Sequence, residues 1–199
     1  MTRYKFYKKN GFYYGFIETG HAGYADAGDD IVDLTSLRFE YADGGVTVHG
    51  GRGDDIVWAA GGENRLFGDA GDDWLVGAAG DDLIVGGAGD DTLHGGGGSD
   101  VFAFGGAWGN DTVEQLAGGK VTLWFDEGSL ANWNADTLTY ADADGGRSVT
   151  VSGVSASDVT LKFGDDGSAA YQALQAAGAF DSSIGGGVFK KRRDGGMLA

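Results

Sequence analysis

Gly50–Ala103 reads GGRGDDIVW, AAGGENRLF, GDAGDDWLV, GAAGDDLIV, GGAGDDTLH, GGGGSDVFA: six consecutive nine-residue units with no insertion between them. Position four is glycine in every unit, at Gly53, Gly62, Gly71, Gly80, Gly89 and Gly98. Position six is Asp55, Asn64, Asp73, Asp82, Asp91 and Asp100, and position eight is Val57, Leu66, Leu75, Ile84, Leu93 and Phe102. A fixed short period of this kind marks a repeat architecture, in which no unit buries its apolar face alone and stacking on neighbours completes the core.

The division inside each unit predicts the geometry. A glycine-rich polar stretch turns tightly, because glycine accepts positive φ and close backbone approach. The last three residues then form a short strand. Side chains alternate faces along a strand, so position eight points inward and positions seven and nine outward. Two units make one coil, consecutive strands fall on opposite sheets, and unit n lies under unit n+2. The turns stack as well, aligning Asp55, Asp73 and Asp91 along one edge and Asn64, Asp82 and Asp100 along the other. Carboxylates a strand spacing apart repel unless a cation sits between them. Ca²⁺ suits such a gap, since it takes 6–8 oxygen ligands in flexible geometry and mixes carboxylates with backbone carbonyls, whereas Mg²⁺ demands a tighter octahedron.

These units fit the pattern GGxGxDxUx, and the segment resembles the β-roll of the RTX (repeats-in-toxin) family. The resemblance implies an all-β fold, a parallel β-roll solenoid flanked by capping β-strands with one short C-terminal helix. It further implies Ca²⁺ held between the turns of units n and n+2 by position-six side chains and turn carbonyls. Carried onto this sequence, the ligands are Asp55, Asn64, Asp73, Asp82, Asp91 and Asp100, with Gly51, Gly53, Gly71, Gly80, Gly87, Gly89, Gly96 and Gly98 in the turns. The stretch GGAWGNDT continues the pattern at altered spacing, so that Asp111 closes one more site above Asp91. The expected complement is about five ions. Unit two departs from the pattern: Ala59 and Ala60 replace the opening glycines and Asn64 replaces the aspartate, so its site is expected to be weak or empty. Upstream, Ala25–Asp33 (ADAGDDIVD) reads as an isolated unit with Asp30 at position six, and whether Asp30 meets calcium is open.

Four regions follow from this reading. Residues 1–49 form an N-terminal cap containing the isolated unit, 50–111 the β-roll, 112–164 a post-roll strand cap, and 165–199 a helix and a C-terminal secretion signal. The N-terminal segment KFYKKNGFYYGF carries an Asn10-Gly11 hairpin signal. KVTLWF, a hairpin around Gly145-Gly146 and DVTLKF supply later strands, and residues 168–178 the helix. The tail after residue 178 resembles the uncleaved signals that type I secretion systems read on RTX proteins, although Lys190–Arg193 fits that pattern poorly. Positions seven and nine leave Ile56, Trp58, Trp74 and Val76 outside one sheet and Phe67, Leu83, Val85 and Val101 outside the other. Flanking strands folding over these patches, or a protein interface, would account for them.

Composition bounds the function. The 199 residues include 40 glycines, no cysteine and no proline, with a formal net charge of -16. Eight of the 14 basic residues lie within the first nine residues or at 190–193, which leaves 6 basic against 29 acidic residues in between. That interior repels nucleic acid and attracts divalent cations. The absence of cysteine removes disulfides and thiolate chemistry, and His21, His49 and His94 belong to no catalytic motif. The expected protein is a secreted, non-enzymatic, calcium-binding protein of the cell surface or extracellular space. Its favoured role is a structural subunit that self-assembles into fibres or layers through apolar outer faces and stack ends; the other reading is a monomeric calcium-dependent polysaccharide-binding module. Neither nucleic acid nor membrane insertion is expected.

Overall fold

The computed structural model describes residues 6–9, 12–15, 22–24, 27–35, 45–116 and 118–180. Two sheets, parallel except for antiparallel strands at both ends of the first, face one another across a single core. The first runs, in spatial order, Phe6–Lys9, Phe12–Gly15, Ile31–Asp33, Ile56–Trp58, Trp74–Val76, Thr92–Gly96, Asn110–Gln115, Ser148–Ser152, Thr139–Ala141 and Trp133–Asn134. The second runs Ala22–Tyr24, Thr47–Arg52, Arg65–Ala70, Leu83–Ala88, Ser99–Phe104, Lys120–Phe125 and Val159–Phe163. Successive units alternate between sheets, and each strand pairs in parallel with the one two units away: Val57 lies beside Leu75 and Leu75 beside Leu93, while Leu66 lies beside Ile84 and Ile84 beside Phe102. The chain is an all-β parallel β-roll.

Position eight fills the interior as its alternation requires. Val57, Leu66, Leu75, Ile84, Leu93 and Phe102 are all fully buried. At the C-terminal end the core widens into an aromatic plug of Phe104, Trp108, Phe125, Tyr140 and Phe163, with the Phe125 and Tyr140 rings 4.1 Å apart.

Two expectations about the flanks change. The strands read as a separate cap extend the sheets instead. Lys120–Phe125 pairs in parallel with Ser99–Phe104, Val159–Phe163 with Lys120–Phe125, and Ser148–Ser152 with Asn110–Gln115. Alternating inward residues such as Val121, Leu123 and Phe125 are enough to continue the stack without glycine-aspartate turns. The unit at Ala25–Asp33 is likewise not isolated: Ile31–Asp33 pairs in register with Ile56–Trp58. The N-terminal hairpin forms, with Phe6–Lys9 antiparallel to Phe12–Gly15, and it joins the edge of the first sheet rather than covering a face.

The cover on the second sheet is the helix α1, Ala169–Ala177. Ser168 caps it by accepting from the Tyr171 amide, and Gly178 ends it in the left-handed conformation at φ 89°. Its Tyr171 and Leu174 pack with Phe67, Val85, Ala103 and Trp124, burying the outer patch of that sheet. Nothing among the described residues covers the corresponding face of the first sheet, where Trp74 is 44% exposed. The expected secretion signal after residue 180 lies outside the described residues.

Candidate metal centre

The stacked turns bring the position-six side chains together as two ladders. On one edge the amide N–H of Asp30 donates to Asp55 Oδ1 at 2.8 Å, that of Asp55 to Asp73 at 2.7 Å, that of Asp73 to Asp91 at 2.9 Å and that of Asp91 to Asp111 at 2.9 Å. On the other, the Asn64 amide donates to Asp82 Oδ1 at 2.7 Å and the Asp82 amide to Asp100 Oδ1 at 2.8 Å. Each side chain therefore spends one oxygen on the turn beneath it. All of these carboxylates are buried, with at most 2% of the residue exposed.

The second oxygen is left without a donor. Oδ2 of Asp55, Asp73, Asp82, Asp91 and Asp111 is buried and meets no hydrogen-bond partner. Such an atom is costly when charged unless a cation satisfies it. Burial accordingly pushes Asp55, Asp73, Asp82 and Asp111 up to about 7, and neighbouring aspartates add to the rise at Asp55, Asp73, Asp82 and Asp111. Asp91 reaches about 9, from burial first and then the charge of Asp111. Asp100 is raised by burial too, but its Oδ2 accepts from Gln115 Nε2 at 2.6 Å.

The backbone around Oδ2 is shaped as an oxygen cradle. A Cβ on position-one Gly50, Gly68, Gly77, Gly86 or Gly95 would overlap the Oδ2 of its own unit's aspartate, and at Gly50, Gly68, Gly77 it would also meet the position-one carbonyl of the coil above. Position-four glycines serve the turn itself. Gly71 has φ 138°, and a side chain there would strike the Gly53 carbonyl. Among the described residues no three carboxylate or imidazole side chains converge. Each gap instead joins two carboxylates to backbone carbonyls, the donor mixture that a hard, loosely coordinated cation accepts.

The sequence-predicted residues fall into two groups. Asp55 with Asp73, Asp73 with Asp91, Asp91 with Asp111, and Asp82 with Asp100 face each other as expected, with the turns of Gly51, Gly53, Gly71, Gly80, Gly87 and Gly89 beside them. In the sixth unit protein donors reach the turn: the Leu116 and Lys120 amides donate to the carbonyls of Gly96 and Gly98. Asn64 stands in its ladder but carries an amide where the others carry Oδ2. Asp30 joins the ladder through its own amide.

Three contributions go beyond the sequence reading. One is the contact behind the position-one glycine, whose loss at Ala59 marks the weak unit but whose closeness to Oδ2 has no sequence signal. A second is position five. Asp29, Asp54, Asp72 and Asp90 accept on Oδ1 from the position-five amide of the coil above, at 2.7–3.0 Å, and Asp81 does the same for Ser99 at 2.8 Å. Position five thus bonds upward and position six downward, satisfying both turn amides. The third is Gln115, which lies beyond the units read as repeats and has no sequence signal.

Comparison with known proteins agrees with this geometry. Residues 42–75, 67–102 and 76–113 match the family described as RTX calcium-binding nonapeptide repeat (4 copies). No curated protein and no solved structure gives a significant match to the chain.

Proposed function

We propose, from the RTX calcium-binding nonapeptide repeats matched over residues 42–113, that this is a secreted protein that folds when Ca²⁺ enters its turn gaps. We further propose that the folded roll is a self-assembling structural subunit of the cell surface or matrix. The row of buried, donor-less Oδ2 atoms carries the first part. Asp55, Asp73, Asp82, Asp91, Asp100 and Asp111 supply the side-chain ligands, and the glycine turns supply carbonyls. When bound, the ion neutralises facing carboxylates. The gaps exist only in the folded chain, so ion-binding free energy becomes folding free energy. Affinities of extracellular calcium modules, with Kd on the order of 10⁻⁴–10⁻³ M, would keep the chain open inside a cell and folded outside it.

Self-assembly is supported by the face of the first sheet that no described residue covers, where half-buried Ile56, Trp58 and Val76 flank the exposed Trp74 as an apolar strip. The role is non-catalytic. A polysaccharide-binding module is the competing reading, favoured by the exposed Trp74 indole, which lies 4.6 Å from the His94 ring on the same face.

Light scattering with and without millimolar Ca²⁺ separates the two. Ordered particles that form only with calcium, and fail to form in Trp58→Ser/Trp74→Ser, support assembly. A compact monomer at every calcium concentration defeats it. Circular dichroism over the same titration tests the ion-driven fold, and β-structure indifferent to chelator would sink that part.

A further inference from the structure

One turn in the stack is built differently, and its atoms say why. Asn64 is 1% exposed, and its Oδ1 accepts from the Val46 amide at 3.1 Å, the same duty that Oδ1 of each aspartate performs. Its Nδ2 occupies the place of the orphaned Oδ2. There it lies 2.8 Å from the Ala60 carbonyl, 2.9 Å from that of Gly62, 2.9 Å from that of Gly77 and 3.0 Å from Asp82 Oδ1. These partners fix the orientation of the amide, since Oδ1 faces a donor and Nδ2 faces only acceptors.

An oxygen placed among four oxygens at that spacing needs positive charge between them. An NH₂ group carries that charge on its own hydrogens. From this coincidence of positions we infer that the Asn64 side-chain amide replaces a calcium ion, so that the second turn closes without metal. The inference rests on the placement of ions proposed above. The four oxygens around Nδ2 also identify the ligand positions of the aspartate turns: the carbonyls of positions two and four, the position-one carbonyl two units on, and the facing carboxylate.

A second, independent feature points the same way. Position one is glycine in every aspartate unit of Gly50–Ala103, where a Cβ would collide with Oδ2. The exception is Ala59, in the asparagine unit, and it is 1% exposed. The glycine cradle and the acid are lost together, as expected if this turn is not shaped to admit an ion. The ladder of Asn64, Asp82 and Asp100 then holds one two-carboxylate gap, against three among Asp55, Asp73, Asp91 and Asp111. The coil containing Asn64 becomes a metal-independent clasp inside a metal-dependent stack.

The test is to count calcium bound at saturation, by equilibrium dialysis with elemental analysis, for the whole chain and three variants. Asn64→Asp and Ala59→Gly/Asn64→Asp restore the acid without and with the glycine. Asp73→Asn carries the surrogate amide into an existing gap. The double variant is expected to bind one ion more than wild type and to lose β-structure in chelator that wild type retains. Asp73→Asn, whose side chain borders two gaps, is expected to bind one or two ions fewer and still fold in calcium. If Asp73→Asn loses an ion while neither Asn64 variant gains one, the surrogate role is overturned and the ion placement stands. If no variant changes the count, both fall. A double variant that stays unfolded in saturating calcium also overturns the inference, because an added site must be rescued by its ion.

Discussion

Each position-six carboxylate divides its work between two oxygens. Oδ1 satisfies a backbone amide in the coil beneath, which fixes the turn, and Oδ2 of Asp55, Asp73, Asp82, Asp91 and Asp111 faces a dry cradle that calls for positive charge. Without metal, a proton is the available substitute. Asp55, Asp73, Asp82 and Asp111 are held at about 7 and Asp91 at about 9, all above their ordinary 3.8. Between pH 3.8 and these values the folded, metal-free roll binds more protons than the unfolded chain, so its stability falls as pH rises through that window. In chelator, β-structure measured by circular dichroism is therefore expected to be greater at about pH 5 than at about pH 8. Where the metal-free turns are already folded, calcium must displace the same protons, so its midpoint is expected to move to lower concentration as pH rises from about 6 to about 8. A midpoint that does not move would show that calcium binds from a chain whose turns are open and whose carboxylates already carry their charge.

At the scale of elements, the core of the roll is legible in the sequence, because an 18-residue stacking period places Leu66 beside Ile84 and Val57 beside Leu75 without any structural knowledge. The facing of Asp73 with Asp91 is legible for the same reason. Asp30 is hidden by an insertion that separates it from Asp55 by 25 residues rather than 18. Asn64 reads as a defect in the repeat, since only the direction of its amide distinguishes a vacancy from a substitution. The post-roll strands are visible, but their parallel pairing with the roll is not, because local alternation says nothing of which partner a strand takes. The helix shows the same limit. Its apolar residues are evident, yet periodicity cannot say that Tyr171 and Leu174 seat on Phe67, Val85 and Trp124. This contact implies that Leu174→Ala lowers stability in saturating calcium by about 2 kcal/mol, the low end for leucine truncation at a site packed on one side. Thermal or urea denaturation measures it. Because Leu174 supplies no oxygen to a turn, the calcium stoichiometry should stay that of wild type, and a lost ion would mean that the helix holds the turns as well as the sheet.

The whole molecule is a stack whose coils contact chiefly their neighbours, so its stability is set coil by coil. The repeat coils carry buried acids whose charge opposes folding unless a cation or a proton neutralises it. The C-terminal coils are held differently. Phe104, Trp108, Phe125, Tyr140 and Phe163 form a continuous aromatic plug, Lys162 sits 4.1 Å above the Trp124 ring, and Arg147 bonds both Asp142 and the Gly106 carbonyl. None of these contacts calls for an ion. Aromatic pairs contribute roughly 0.5–1.5 kcal/mol each beyond their burial, which favours local order at this end while the repeat is open. Folding is then expected to run from residues 120–163 toward the N-terminal coils as calcium is added, each filled gap presenting a formed edge to the next coil. Hydrogen exchange resolves this by segment. In chelator, amides of Lys120–Phe125, Ser148–Ser152 and Val159–Phe163 should exchange more slowly than those of Ile56–Trp58 and Trp74–Val76. Rising calcium should protect Thr92–Gly96 before Trp74–Val76, and Trp74–Val76 before Ile56–Trp58. Equal protection of all segments at every calcium level would mean that the roll closes as one unit and that the aromatic end does not lead.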